Sequence, residues 1–211
     1  MGVRASVGVA VVAILGTALI ACGGGDREVT ADDLPTIVLQ REDVPIGEIR
    51  QATVNQGSAL AVYGHEFEVA PEDAVPGDLV CVSSVVSLHR DSEAARDAFA
   101  SALQEFDRLQ RDPNVGALQV SRVTAPNIGT DAAAFRLVSP IGDFCTSYRT
   151  QPFDQHILYI YDGNVIAIIT NVNLASGSSF DETERLAEIQ DDRLQRFRSG
   201  DLPSPESLPA E

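Results

Sequence analysis

The sequence predicts an α+β fold in which two amphipathic helices pack against a mainly antiparallel sheet. Apolar residues recur at helical spacing over about 91–111 and about 180–198. Runs of β-forming residues lie before and between these segments, and two of the runs flank Asp162-Gly163, a pair suited to a two-residue hairpin turn. Strands, a helix, an antiparallel set of strands and a second helix, in that order, are typical of α+β domains.

The strands are predicted from short runs of Val, Ile and aromatic residues. The run at 79–88 is clear, and the break in its alternation at Ser83 and Ser84 predicts a β-bulge. Weaker signals predict a strand near 52–55 and one or two strands within 57–76. The strands predicted after the first helix are 118–123, 134–138, 144–149, 157–161 and 164–169.

Both predicted helices have recognisable ends. Asp91 is the predicted N-cap of the first helix, and Pro113 follows its end. Ser179 and Glu182 form a predicted capping box for the second helix, which Gly200 ends. The apolar stripes, predicted to be core, are Ala95, Ala98, Phe99, Ala102, Leu103, Phe106 and Leu109 in the first helix and Leu186, Ile189, Leu194 and Phe197 in the second.

The hairpin is predicted to be the centre of the sheet. With Asp162 and Gly163 as the two turn residues, Tyr159 would face Ile166 and Ile160 would face Val165. Both faces of the hairpin are then apolar. We therefore expect it to be covered on both sides.

The N-terminal sequence predicts export. Arg4 gives a positive N-terminal region, residues 7–20 are almost entirely apolar, and small residues lead to Cys22. The segment Leu19-Ile20-Ala21-Cys22 resembles the lipobox of bacterial lipoproteins, which implies cleavage before Cys22 and acylation of its sulfur. The alternative is a short transmembrane anchor, but the apolar run is shorter than the roughly 18–20 residues that span a bilayer.

These signals divide the chain into four predicted segments. They are a signal peptide at 1–21, a lipidated tether at 22–33, a single α+β domain at 34–199, and a disordered acidic tail with prolines at 200–211. The chain has 31 acidic and 15 basic residues and a formal net charge of −16. Such a surface repels nucleic acids and anionic lipid head groups, so no nucleic-acid partner is expected.

The two remaining cysteines, Cys81 and Cys145, predict one disulfide, because unmodified cysteine pairs outside the cytoplasm usually form one. Closing a loop of roughly 65 residues would restrict the unfolded chain by about 4 kcal/mol. A redox or metal-binding pair is the alternative. It has little support, because the sequence has no Cys-x-x-Cys and no histidine at ligand spacing from either cysteine.

The sequence contains no recognisable catalytic or cofactor motif. A Gly-x-Ser-x-Gly nucleophile motif is absent, and Ser-x-x-Lys is impossible because the chain has no lysine. The histidines His65, His89 and His156 are widely separated, so combining any of them into an acid–base site requires a guess about the fold. Acidic pairs that lack the spacing of a calcium loop are Asp32-Asp33, Glu72-Asp73 and Asp191-Asp192. We predict no catalytic residue, cofactor or metal.

Several short segments together resemble a known type of domain. In order, they are Glu42-Asp43-Val44-Pro45, Ser87-Leu88-His89-Arg90-Asp91-Ser92-Glu93-Ala94-Ala95, Ile128-Gly129-Thr130-Asp131-Ala132 and the hairpin Asp162-Gly163-Asn164. The chain resembles extracytoplasmic sensor-type lipoprotein domains similar to those outside mycobacterial serine/threonine kinases and, more distantly, the PsbP-like fold. The resemblance implies a ligand-sensing or assembly module and transfers no site residue. One predicted disulfide departs from kinase sensor domains that carry two.

The functional prediction is a non-catalytic, lipid-anchored module on the extracytoplasmic face of the cell membrane. Its expected partners are the membrane, through the anchor, and a small ligand, an envelope component or another protein. One alternative is an envelope hydrolase with an unrecognised site using His65, His89 or His156. Another is a purely structural or assembly role.

Overall fold

The computed structural model describes residues 27–44, 46–52, 58–75, 78–112, 117–143, 148–174 and 180–202. The predicted signal peptide, the predicted acylation site Cys22, Cys145, Ser179 and most of the predicted tail lie outside these ranges.

Within the described ranges, seven strands form one sheet in which every pair of neighbours is antiparallel. The strands are β1 (Glu48–Gln51), β2 (Ala61–Glu68), β3 (Leu79–Leu88), β4 (Gln119–Val123), β5 (Asp131–Asp143), β6 (Arg149–Asp162) and β7 (Val165–Leu174). Their order across the sheet is β1-β2-β3-β7-β6-β5-β4. This architecture agrees with the predicted α+β class and antiparallel sheet.

The described chain also contains helices α1 (Leu34–Ile37), α2 (Ser92–Arg111) and α3 (Asp181–Ser199). The bounds of α2 and α3 agree with the predicted helices to within a residue, whereas the short α1 was not predicted. The carboxylate of Asp91 accepts a 2.8 Å hydrogen bond from the N–H of Ala94, as expected of the N-cap. The helix α3 ends where Gly200 adopts a φ of +83°, a conformation that favours glycine.

Different helices cover the two faces of the sheet. One face, which holds Leu158 and Ile160 of β6, shares a core with α1 and α3. The other face, which holds Ile157 of β6 and Ile166 of β7, shares a core with α2. The β6–β7 hairpin is therefore central and buried on both sides, as predicted.

The predicted register of this hairpin was wrong. Asp162 pairs with Val165 and Tyr159 pairs with Ile168, so the turn residues are Gly163 and Asn164. Asp162 stays in β6 because its carboxylate is bound there by several side chains. These are Arg198 and Gln195 of α3 and Thr130 before β5. Contacts from distant parts of the chain therefore outweigh the local preference of Asp162-Gly163 for the turn.

One further prediction about a strand needs correction. The irregular pairing of β3 lies between Leu79 and Cys81, whereas Ser84 pairs regularly with Ile169. Of the predicted strand near 52–55, residues 53–55 lie outside the described ranges; an earlier strand, β1, starts directly after Gly47. A Cβ atom on Gly47 would lie 1.9 Å from the carbonyl oxygen of Glu68. Glycine therefore permits the two backbones to come this close where the pairing of β1 with β2 begins. Of the predicted segment 144–149, residues 144–147 lie outside the described ranges.

Residues 27–33, which precede the predicted domain, pack against other parts of the described chain. Val29 is buried in the core shared with α3. The guanidinium of Arg27 lies 4.0 Å from the centroid of the Phe197 ring and pairs with Asp33 at 3.0 Å. The backbone N–H of Arg27 donates to the carbonyl of Arg198 over 2.8 Å. Residues 27–33 are therefore held against the end of α3.

Gln190 of α3 connects this N-terminal region to the sheet. Its amide nitrogen donates to the carbonyl of Ile37 at 2.6 Å, and its amide oxygen accepts from the N–H of Leu39 and the hydroxyl of Ser84. The side chain is completely buried. One amide thus satisfies three buried polar groups from two separate segments that have no access to water.

We expect Gln190→Leu to lower the free energy of unfolding by about 2–3 kcal/mol, because it removes these bonds and leaves a buried carbonyl without its donor. Urea denaturation followed by circular dichroism measures the change. Gln104→Leu, on the exposed side of α2, is the matched control and should change stability by less than about 0.5 kcal/mol. Equal losses from the two variants would contradict the bridging role of Gln190.

Candidate functional site

The structure does not bring the three histidines together. His65 lies in β2, His89 follows the end of β3, and His156 lies in β6. Strands β3 and β7 separate β2 from β6. Three interstrand steps correspond to roughly 14 Å, so His65 and His156 cannot share one reacting atom.

His65 has a positioning role. Its Nδ1 lies 2.9 Å from the carbonyl oxygen of Leu39, so Nδ1 carries the hydrogen and donates it. The other nitrogen, Nε2, lies 3.2 Å from the hydroxyl of Tyr63, and the His65 ring also packs edge-on against Phe67. These contacts fix the segment after α1 onto β2.

His89 forms a contact with a serine but lies inside the protein. Its Nε2 is 3.2 Å from the hydroxyl of Ser87, which also donates to the carbonyl of Ile166. Both side chains are buried, and among the described residues none forms a hydrogen bond with Nδ1 of His89. A nucleophilic serine needs an exposed hydroxyl and a base oriented by a third group. The Ser87–His89 pair has neither feature.

The third histidine belongs to a group of polar side chains on the α3 side of the sheet, which we call the polar cluster. Its members are Arg136, Asp154, His156, Asn171 and Asn173. Adjacent strands place Arg136, His156 and Asn171 in one row, while Asp154 and Asn173 form the next. The cluster therefore arises from residues that alternate along β5, β6 and β7 and point to the same face.

A charge pair is the centre of the polar cluster. Arg136 binds both carboxylate oxygens of Asp154, with Nε and one terminal nitrogen at 2.8 and 2.5 Å. The Asp154 side chain is 0% exposed, whereas that of Arg136 is 36% exposed. The hydrogen bond to Asp154 raises the pKa of Arg136 above its ordinary value. Arg136 is thus the member of this charge pair that is exposed to solvent.

His156 lies beside this pair and is 2% exposed. Burial lowers the pKa of His156 below 6.5; the negative charge of Asp154 opposes this effect, and the positive charge of Arg136 adds to it. Nε2 is 4.0 Å from Asp154, and Nδ1 has no hydrogen-bond partner in the part of the chain that the structure describes. The neutral imidazole is therefore the form that the folded protein favours near neutral pH.

The polar cluster also holds the start of α3. When its amide oxygen faces the helix, Asn171 accepts from the N–H and hydroxyl of Thr183 at 3.2 and 3.1 Å. Asn171 thereby satisfies a first-turn N–H group from a distant strand. The ring of Phe180, directly before α3, packs edge-on against His156 at 5.5 Å between centroids.

Acidification should destabilise the protein through His156. Since its folded pKa lies below the value of 6.5 for an exposed imidazole, the unfolded chain takes up the proton first. The stabilisation is present above pH 6.5 and is lost as the pH falls through the folded pKa. Each pH unit between the two pKa values corresponds to about 1.4 kcal/mol.

The measurement is the Tm between pH 7.5 and pH 5 for the wild type and His156→Gln, which cannot titrate. We expect the Tm of the variant to fall less steeply than that of the wild type. His89→Gln should show a similar flattening, because burial also lowers the pKa of His89. Parallel curves for all three proteins would contradict the prediction.

Among the described residues, no group of three or more His, Cys, Asp or Glu side chains could hold a metal ion. A shallow cleft of about 520 Å³ lies at the end of α2. Its described lining consists of Gln104, Asp107, Arg108, Arg111 and Asp112, none of which the sequence had suggested as a site residue.

A pairing of Cys81 and Cys145 stays a prediction. Cys81 is buried in β3 on the α2 side of the sheet. Tyr148, three residues after Cys145, is buried in the same cluster, and its hydroxyl donates to the carbonyl of Val69 at 2.8 Å. Tyr148 and Cys81 thus belong to the same buried cluster.

Comparison with solved structures finds a similar fold in the crystal structure of the extracellular domain of PknH from Mycobacterium tuberculosis. The TM-score is 0.53, the sequences are 9% identical, and the match covers 80% of this chain and 98% of that chain. The sequence matches no family model and no curated protein. At this identity the similarity shows the fold alone. The expected resemblance to a kinase sensor domain is thus supported at the level of the fold.

Proposed function

We propose that this protein is a non-catalytic module of the extracytoplasmic side of the membrane, anchored there by a lipid on Cys22. The proposal depends mainly on one observation, which is that the fold resembles the extracellular PknH domain over 98% of its length. The proposed partner of the body is a small ligand, an envelope component or another protein. Nucleic acid is not a proposed partner, because the formal net charge is −16.

The contacts of the histidines support a non-catalytic role. His65 positions the segment after α1, His89 is enclosed with Ser87, and His156 is enclosed beside Asp154. An envelope hydrolase using one of them would need that side chain to reach a substrate. No described contact favours this alternative.

The proposed attachment is through the lipid and not through a helix of the body. The signal-like segment and the sequence Leu19-Ile20-Ala21-Cys22 support the lipid. Among the helices in the described ranges, none combines the length and apolar character needed to cross a bilayer.

Cys22→Ala should release the protein from membranes without unfolding it. The measurement is fractionation of exported protein before and after a salt wash, with circular dichroism of the soluble form. A stably anchored wild type should sediment with membranes, whereas the variant should be almost entirely soluble. A variant that stays membrane-bound after the wash would exclude the proposed anchor.

Native mass spectrometry tests the proposed binding role. Residues 23–211 would be exported from the natural host, purified, and measured in native and denatured form. A mass excess that disappears on denaturation would indicate a carried ligand. A bare mass would exclude a tightly held ligand and direct the search to cross-linking of protein partners. Substrate turnover that depends on His65, His89 or His156 would overturn the non-catalytic proposal.

A further inference from the structure

Both ends of the described chain lie at the same place. The backbone N–H of Arg27 donates to the carbonyl of Arg198 near the end of α3. The N–H of Leu202 donates to the carbonyl of Arg196, less than one turn away. The described chain therefore begins and ends beside the last turn of α3.

The end of α3 lies beside one end of the sheet, which we call the anchor end. Arg198 binds the carboxylate of Asp162 at the β6–β7 turn. The N–H of His89, after β3, donates to Asn164 in the same turn. The opposite end, the distal end, contains the β2–β3 connection, the start of α3 and the end of α2.

The proposed tether is short compared with the sheet. Cys22 and Arg27 are separated by five residue steps, which span at most about 18 Å when fully extended. The strand β6 runs from the distal end to the anchor end and has 14 residues, corresponding to roughly 40 Å. A lipid on Cys22 thus keeps the anchor end near the bilayer, while the distal end is beyond its reach in an upright domain.

Charge opposes a domain that lies on its side. The exposed surface of α2 carries Glu93, Asp97 and Glu105 beside Arg96 and Arg108, and that of α3 carries Glu188 and Asp192 beside Arg196. With a formal net charge of −16, a domain lying flat would bring much of its charge against the head groups. Repulsion from anionic lipids increases within a Debye length of the surface, so the upright arrangement is favoured.

We propose that the domain stands on its anchor end, with the β6–β7 turn toward the bilayer and the distal end presented to partners away from the membrane. This inference depends on the proposed lipid at Cys22. It places residues 69–75, the start of α3 and the neighbouring part of the polar cluster on the side of the domain away from the bilayer.

The absence of tryptophan from the sequence allows a direct test. Two apolar residues are well exposed at opposite ends: Leu60, directly before β2, is 68% exposed, and Val75, in the connection before β3, is 56% exposed. Leu60→Trp and Val75→Trp place one donor at the anchor end and one at the distal end. The lipidated full chains would be reconstituted into vesicles of phosphatidylglycerol and phosphatidylethanolamine with dansyl-labelled head groups.

Energy transfer from tryptophan to dansyl should be several-fold larger for Leu60→Trp than for Val75→Trp. Equal transfer, or larger transfer from position 75, would overturn the upright arrangement. A flexible Gly/Ser segment inserted between Gly25 and Asp26 should reduce transfer at position 60. If neither lipidated chain floats with the vesicles, the proposed anchor is refuted instead. The failure of the anchor and the failure of the upright arrangement are therefore distinguishable.

Discussion

Replacing Arg136 by methionine is expected to lower the free energy of unfolding by about 3 kcal/mol. The substitution keeps the apolar stem over β5 but removes the guanidinium that binds both oxygens of Asp154. Because the Asp154 side chain is 0% exposed, water cannot replace that partner without opening the structure. Removing one member of a buried pair commonly costs about 3–5 kcal/mol, and the partial exposure of Arg136 favours the lower limit.

The chain provides a matched control for this experiment. Arg108 of α2 also binds both oxygens of a carboxylate, that of Glu105, but more than half of each side chain is exposed. Arg108→Met should therefore have a much smaller effect, since exposed pairs contribute little. Urea denaturation at fixed pH and salt measures both variants. Similar losses of unfolding free energy in the two variants would show that burial of Asp154 does not determine the size of the effect.

A double variant separates the charge pair from the packing around it. Asp154→Asn removes the negative charge at nearly constant volume, so the later loss of Arg136 should cost less in this background. We expect a coupling energy of about 1–3 kcal/mol between positions 136 and 154. Additive losses would mean that Arg136 contributes through its stem and not through Asp154.

Loss of a bond between Cys81 and Cys145 is expected to lower the free energy of unfolding by about 4 kcal/mol, because a loop of roughly 65 residues would no longer be closed in the unfolded chain. The comparison is between the exported wild type and the Cys81→Ala/Cys145→Ala variant under denaturant. The denatured mass of the wild type should be two hydrogens below that of the reduced chain.

Reduction supplies the control for the disulfide. Dithiothreitol should lower the denaturation midpoint of the wild type and leave that of the double alanine variant unchanged. A cavity left by the truncated side chains would lower the midpoint of the variant equally with and without the reductant. An unchanged wild-type midpoint, with both thiols free in the mass spectrum, would refute the predicted pairing.

The parts of the fold that the sequence predicted well depend on local signals. Asp91 caps α2 through the N–H of Ala94, three residues later, and Gly200 ends α3 through its own conformation. The hairpin turn was misplaced because Asp162 is held by Arg198, whose position depends on the whole of α3. A two-residue turn preference cannot anticipate that contact.

The polar cluster was harder to predict than the fold. Asp154 and His156 have the alternating spacing of one strand face, and this pattern was available in the sequence. Arg136 is their neighbour only because β5 pairs with β6, and Asn171 only because β7 does. No pattern in the sequence indicated that Gln190 is buried, since a glutamine in an amphipathic helix usually faces solvent. Its buried position follows from the path of the chain after α1.

The order of the strands also has a consequence for folding after export. The strands β1 to β3 and the strands β4 to β7 are each linked by neighbours in sequence, so each set can form from local hairpins. The pairing of β3 with β7 joins the two sets and must close a long loop that contains α2. We expect this seam to form late. A bond from Cys81 in the first set to Cys145 in the second would then link the two sets covalently after β3 and β7 have paired.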